Sequence, residues 1–224
     1  MRINKVVDLS LVVNAATQTY PGDPEPRFEV HSTIERDGFN LLSVSMGSQT
    51  GTHVDAPYHF DETAPTLDQI PLDRFVGRGV IVDARGVGAR GRITWEHVAP
   101  VAHLLEPGVV VLLHTGWSEH YGTDRYFDNP FLDADACDRM LVLGVRTFGI
   151  DAINIDETPD DEHQGEGFSV HHLIAAQAGI IAENLTNLAA INFDEALISL
   201  LPIAFEAADG APVRAVALQL ADEG

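Results

Sequence analysis

Two short apolar runs do most to limit what this chain can fold into. Gly79-Val80-Ile81-Val82-Asp83 and residues 109–113 (Val-Val-Val-Leu-Leu) show no polar alternation, and Pro107-Gly108 punctuates the chain before the second. Each reads as a short buried strand. Helical patterns fall around them. Thr94 is placed to cap a helix through Leu105, although Pro100 argues against one unbroken helix there. Residues 133–143 read as a helix, with Ala136, Met140 and Leu143 at i, i+4 and i+7 and Gly144 suited to the C-terminal cap. Ser169 reads as the cap of a further helix that Gly179 ends.

The remaining strand patterns cover residues 5–13, 28–33, 41–46, 147–151, 180–183, 200–205 and 213–218. Glu35-Arg36-Asp37-Gly38 supplies a hairpin-like turn, and Asp209-Gly210 joins the last two strands. This mixture predicts a single α/β domain over residues 1–224, with no repeat and no linker. The longest irregular stretches are 121–133 and 156–167. The second is acidic, carries two glycines and reads as an active-site flap.

Composition narrows the partners. Apolar residues make up 45% of the chain and charged residues 21%, which suits a folded globule and not a disordered chain. With 34 acidic residues against 13 Lys+Arg, the net charge is -21. Such a surface repels phosphate backbones and anionic headgroups, so neither a nucleic acid nor a membrane is expected as partner. The lone Cys137 cannot form an internal disulfide and reads as a small core hydrophobe. Residues 1–13 lack a targeting pattern, and the run 109–113 is far too short to span a bilayer. A soluble, cytoplasmic protein is expected.

The chemistry concentrates in Gln49-Thr50-Gly51-Thr52-His53-Val54-Asp55-Ala56-Pro57-Tyr58-His59-Phe60. In an extended chain, residues two apart point to one face. Gln49, His53, Asp55 and His59 would then share a side, and Pro57 argues against a helix. Two imidazoles and a carboxylate on one face suit a divalent metal ion. A second group is His171-His172 followed by Glu183. The break at Gly179 lets Glu183 return beside the helix start and converge with a histidine on the first group. Asp151 and Asp156 are either carboxylates that orient histidines or plain loop residues. Arg214 either anchors a substrate carboxylate or pairs with an acidic neighbour.

These residues match a known pattern. The segment resembles the signature His-x-Gly-Thr-His-x-Asp-x-Pro-x-His of the cyclase-like metal-dependent hydrolases, which include bacterial kynurenine formamidases and isatin hydrolases. Tyr20-Pro21-Gly22-Asp23, His114-Thr115-Gly116-Trp117, Gly149-Ile150-Asp151, His171-His172 with Glu183-Asn184-Leu185, and the segment Asp209-Gly210-Ala211-Pro212-Val213-Arg214 resemble further family motifs in order. The resemblance implies a swivelling β/β/α fold, usually oligomeric as a homodimer or homotetramer, with zinc or manganese. It implies that His53, Asp55, His171 and Glu183 are metal ligands, that Asp55 and Glu183 are able to bridge two ions, and that His59 is the general acid/base.

Two positions depart from the pattern. Gln49 stands at the family's first histidine, where its amide oxygen is a neutral and weaker metal donor. Tyr20 stands where the formamidases carry a substrate-contacting tryptophan, and it remains able to stack on an aromatic ring. The expected activity is hydrolysis of a small formamide or cyclic amide at a C–N bond other than a peptide bond, by metal-activated water with His59 moving protons. Hydrolysis of a lactone or other ester is the alternative within enzymes. Non-catalytic binding of a small ligand is the alternative outside them.

Overall fold

The run that reads as buried in the sequence lies at the centre of the molecule. A computed structural model describes residues 2–165 and 167–221. In chain order its strands are β1 (Ile3–Asp8), β2 (Arg27–Ser32), β3 (Leu41–Ser45), β4 (His53–Asp55), β5 (Val76–Asp83), β6 (Arg92–Ile93) and β7 (Val110–His114). They continue with β8 (Phe131–Leu132), β9 (Thr147–Ile150), β10 (Ile180–Glu183), β11 (Leu197–Ser199), β12 (Gly210–Pro212) and β13 (Val216–Leu220). The helices are α1 (Ile34–Asp37), α2 (Trp95–Val98), α3 (Ala134–Val142) and α4 (Ser169–Ala175).

Nine strands form one mixed sheet in the order β1-β13-β11-β5-β7-β9-β10-β4-β12. The pairs β5–β7, β7–β9 and β9–β10 are parallel, whereas β4 runs antiparallel to both β10 and β12. Strand periodicity divides the apolar residues between two layers. Val111 and Leu113 join Val80, Phe148 and Ile150 against Met140 of α3 and Ile174 of α4. Val110 and Leu112 face the other way, with Ile180 and Ala182, towards Val7, Ile198 and Ala217. The sheet curls until strands from its two ends share that second core, and an isolated bridge between Ser10 and Leu185 joins them. The result is the single α/β domain expected, layered β/β/α. Cys137 is buried in the helix-side core.

Several boundaries follow local chemistry that the patterns did not resolve. Residues 200–205 are not a strand. The strand is β11 just before them, and Pro202, which has no N–H for a ladder, makes only an isolated bridge to Val213. The strand predicted at 213–218 begins only at Val216, as β13, because residues 213–215 carry the chain from β12 at one end of the curled sheet to the other. The predicted first strand stops at Asp8. Beyond α2 the chain tightens into a 3-10 helix at Ala99–Leu104, as Pro100 requires. The turn at 35–38 is one helical turn, α1, closed by Gly38 at φ 81. Ser169 is the first residue of α4, not its cap. The free N–H groups of Val170 and His171 donate instead to Asp156 at 3.0 Å each.

β2 and β3 form a separate antiparallel ribbon whose pairs Phe28/Val44 and Val30/Leu42 give it an apolar face that is largely exposed. Residues 157–160 are tied to Arg90 through Glu157, the Thr158 carbonyl and Asp160. The base of the predicted flap is therefore anchored, while Glu166 within it lies outside the described residues. Among the described residues no helix is long and apolar enough to cross a membrane.

The β5–β7 junction leaves no room at Gly77, where a Cβ would lie 2.2 Å from the carbonyl oxygen of Gly108. Backbone cannot move aside as a side-chain tip does. Gly77→Ala is expected to cost about 1–3 kcal/mol of stability in a denaturant titration. An unchanged unfolding midpoint would contradict this packing.

Candidate active site

The site begins as a cross-strand pair. In the β4–β10 ladder Glu183 lies opposite His53. Asp55, two residues along β4, shares the face of His53. All three side chains are buried. The chain before β10 is α4, and the turn at Gly179 folds it back so that His171 meets the same group. His53 Nε2 lies 3.4 Å from Asp55 Oδ1 and 3.7 Å from Glu183 Oε2. His171 Nε2 lies 3.6 Å from Asp55 Oδ2 and 3.5 Å from Glu183 Oε1. Each carboxylate thus shows one oxygen to each histidine.

The far side of each imidazole is held. His53 Nδ1 lies 2.8 Å from the carbonyl of Gly51. Gly51 has φ +69, and a Cβ there would lie 2.7 Å from Val13 Cγ2, so this turn requires glycine. His171 Nδ1 lies 2.7 Å from Asp156 Oδ2. With Nδ1 donating to an oxygen, each Nε2 faces the carboxylates. Glu183 Oε1 accepts from the backbone N–H of Ile155 at 2.7 Å.

The electrostatics show a site in need of positive charge. Burial by itself would depress the basicity of His53, yet the adjoining Asp55 and Glu183 lift it to about 9. His171 is likewise raised well above the ordinary imidazole range, against the effect of burial, by Asp156, Asp55 and Glu183. Asp55 is driven low despite its burial, by His171 and His53.

The donor set fits a divalent cation. His53, Asp55 and Glu183 each offer an atom within 4.8 Å of the others. Asp55 Oδ1 is buried with no hydrogen-bond partner. Two atoms bound tetrahedrally to one ion at zinc-like distances stand roughly 3.3–3.6 Å apart, which is close to the separations found here.

Gln49 and His59 reach the group by a different route from the one expected. Extended strand covers only residues 53–55. The positive φ of Gly51 turns the chain before it, and Pro57 opens a 3-10 turn, Pro57–His59, after it. Both side chains still arrive at the same place. His59 Nδ1 lies 3.1 Å from Asp209 Oδ2, and Gln49 Nε2 donates to that oxygen at 2.9 Å. The contact with His59, against the cost of partial burial, holds Asp209 down at about 2. In return Asp209 and Asp55 raise His59 above its ordinary value, overcoming burial.

Tyr20, Gln49, His53, Asp55, His59, His171 and Glu183 all line one cavity of about 240 Å³. Burial, followed by the nearby Glu183 charge, pushes the Tyr20 phenol up to about 12. Phe60 leans on the His171 ring at 4.3 Å and on Phe168 at 5.3 Å between centroids. Sequence reasoning assigns no role to Asp23, Phe60, Phe168 or Asp209. Asp23 and Asp209 lie inside the Tyr20–Asp23 and Asp209–Arg214 motifs, but Phe168 leaves no local signal. Two readings stand open for Asp151 and for Asp156, a carboxylate that orients a histidine or a plain loop residue, and the contacts of the two differ. Asp156 orients His171, whereas Asp151 accepts from the Thr115 N–H and hydroxyl and from the Gly116 N–H. Arg214 makes a two-pronged pair with Asp8 at 2.8 and 2.6 Å.

Comparison with known proteins agrees with this fold. Residues 7–157 match the model of the family described as putative cyclase. The kynurenine formamidase of Bacillus cytotoxicus is 32% identical over 219 residues, covering 96% of this chain and 98% of the relative. The isatin hydrolase A structure from Ralstonia solanacearum superposes with a TM-score of 0.86 at 23% identity, covering 96% of this chain and 92% of that one. The structure of a potential metal-dependent hydrolase with cyclase activity gives a TM-score of 0.79 at 26% identity, covering 97% and 98%.

Asp156 joins the start of α4 to the ring of His171 through three hydrogen bonds. Asp156→Ala leaves two backbone N–H groups and one imidazole N–H in a buried site. A loss of about 2–4 kcal/mol is expected on thermal unfolding. Unchanged stability would mean that Asp156 does not hold this corner.

Proposed function

This chain belongs to the putative cyclase family, and from that premise we propose that it is a metal-dependent hydrolase of small amides, cleaving an N-formylated aryl amine or a related cyclic amide. One observation carries the reading: Asp55 and Glu183 each turn one oxygen to His53 and the other to His171, beside a cavity that also holds His59. His53, Asp55, Glu183 and His171 would hold the cation, zinc or manganese, to which mixed nitrogen and oxygen donors are suited. Bound there, a divalent cation supplies Lewis acidity and lowers the pKa of water at the site.

The chain's own residues do the rest. Tyr20, Phe60 and Phe168 offer ring faces and edges to an aromatic substrate. His59 takes a proton from the attacking water and returns it to the leaving nitrogen as the C–N bond breaks, so a formamide yields formate and an amine. Asp209 steadies the imidazolium between these steps. Gly51 and Asp156 keep His53 and His171 turned towards the carboxylates. A homodimer or homotetramer is part of the same reading, supported by the exposed apolar face of the β2–β3 ribbon.

Complete chelation should abolish hydrolysis of N-formyl aryl amines and cyclic aryl amides, and zinc or manganese should restore it. Activity that survives full metal removal refutes the proposal. His59→Ala should lower kcat about 10²–10⁴-fold while cation content stays constant, because only the proton carrier is removed. An unchanged rate would move that role to another residue.

Cation binding should also release protons. The carboxylates keep His53 protonated up to about 9, so at neutral pH an incoming cation must displace its proton. Apparent zinc affinity should therefore rise with pH through the neutral range. Calorimetry in buffers of different ionisation enthalpy should show about one proton or more released per ion. A pH-independent affinity with no release would contradict the ligand assignment.

A further inference from the structure

Asp209 receives three donors from two separate segments. The Ser48 hydroxyl lies 2.9 and 3.1 Å from its two oxygens. Gln49 Nε2 donates to Oδ2 at 2.9 Å, and His59 Nδ1 lies 3.1 Å from the same atom. An ionised carboxylate only accepts, so the His59 nitrogen facing it carries the hydrogen. Nε2 is then the nitrogen left free to take a proton.

Gln49 is drawn into this arrangement by its amide nitrogen, which also lies 3.4 Å from His59 Nδ1. The close approach depends on Gly210. A Cβ there would lie 2.5 Å from the Val54 carbonyl oxygen and 2.7 Å from Gln49 Nε2. The segment carrying Asp209 can therefore lie flat against β4 with the Gln49 amide beside it. The other amide atom, Oε1, is buried without a hydrogen-bond partner.

We propose that Asp209, Ser48 and Gln49 form a positioning cradle that fixes the tautomer and ring plane of His59, and that Gln49 serves this cradle and not the cation. The proposal rests on the reading of His59 as the proton carrier. It gives the glutamine a purpose that a weakly donating metal ligand would lack. Asp209 touches His59 and not the reacting atoms, so it is a positioning residue.

The test uses three variants of the full chain, zinc as the metal probe and an N-formyl aryl amine as substrate. Asp209→Asn should lower kcat about 10²-fold or more with KM nearly constant, since an amide can turn its NH₂ to His59 and stabilise the wrong tautomer. Nitrogen-15 NMR of His59, assigned by its loss in His59→Gln, should move from the Nδ1–H form towards the Nε2–H form. Gln49→Ala should lower kcat about 10-fold while the zinc dissociation constant stays within about threefold of wild type. Ser48→Ala, which removes one donor, should give a smaller loss of the same kind and serves if Asp209→Asn does not fold.

Zinc affinity that falls tenfold or more in Gln49→Ala would make Gln49 a cation donor and overturn the proposal. So would a His59 tautomer and kcat indifferent to Asp209 and Ser48. Should wild type hydrolyse none of the amides, the functional reading fails. The NMR and zinc measurements would still decide whether the cradle exists.

Discussion

The pairing of β4 with β10 sets Glu183 directly across from His53, and every other part of the site is arranged around that pair. Strand alternation then gives Asp55 the same face without further instruction. Because β4 is antiparallel to β10, its beginning lies at the carboxyl end of the parallel strands, where open α/β sheets leave room for ligands. The β4–β12 pairing holds the other edge of β4 and brings Asp209 within reach of His59. The two pairings of β4 thus bring the carboxylate–histidine group and His59 together.

Such a group is unstable by itself. Two carboxylates buried beside two imidazoles need positive charge, and without a cation protons on the histidines supply it. That is why His53 and His171 are lifted above the ordinary imidazole range although burial acts in the opposite direction. The surrounding contacts keep the cluster open for a cation. Gly51 and Asp156 draw each Nδ1 outwards, and Ile155 fixes one oxygen of Glu183. The overall charge of -21 adds a negative field that is congenial to a divalent cation.

Much of this is legible in the amino-acid sequence. His53 and Asp55 at a spacing of two, and the break at Gly179 that returns Glu183 to His171, follow from periodicity and from the place of one glycine. The buried run ending at Leu113 marked the central strand. What the sequence hid was non-local. Nothing near Phe168 indicates that it will meet Phe60 across the cavity, and nothing near Asp209 names its partners Ser48 and His59, more than a hundred residues away. The strand expected at 200–205 failed for a local reason, since Pro202 interrupts the ladder. The shared face expected for Gln49 and His59 gave the right neighbourhood by the wrong geometry, because turns at Gly51 and Pro57 replace the extended chain.

The proposed hydrolase would need a divalent cation held by His53, Asp55, His171 and Glu183. Anomalous diffraction from crystals grown with zinc or manganese, recorded on both sides of the metal edge, addresses this directly. The expected result is a peak at bonding distance, about 2.0–2.3 Å, from His53 Nε2 and from oxygens of Asp55 and Glu183. A metal peak elsewhere in the molecule, with the Asp55 and Glu183 carboxylates bonded only to protonated histidines, would contradict it.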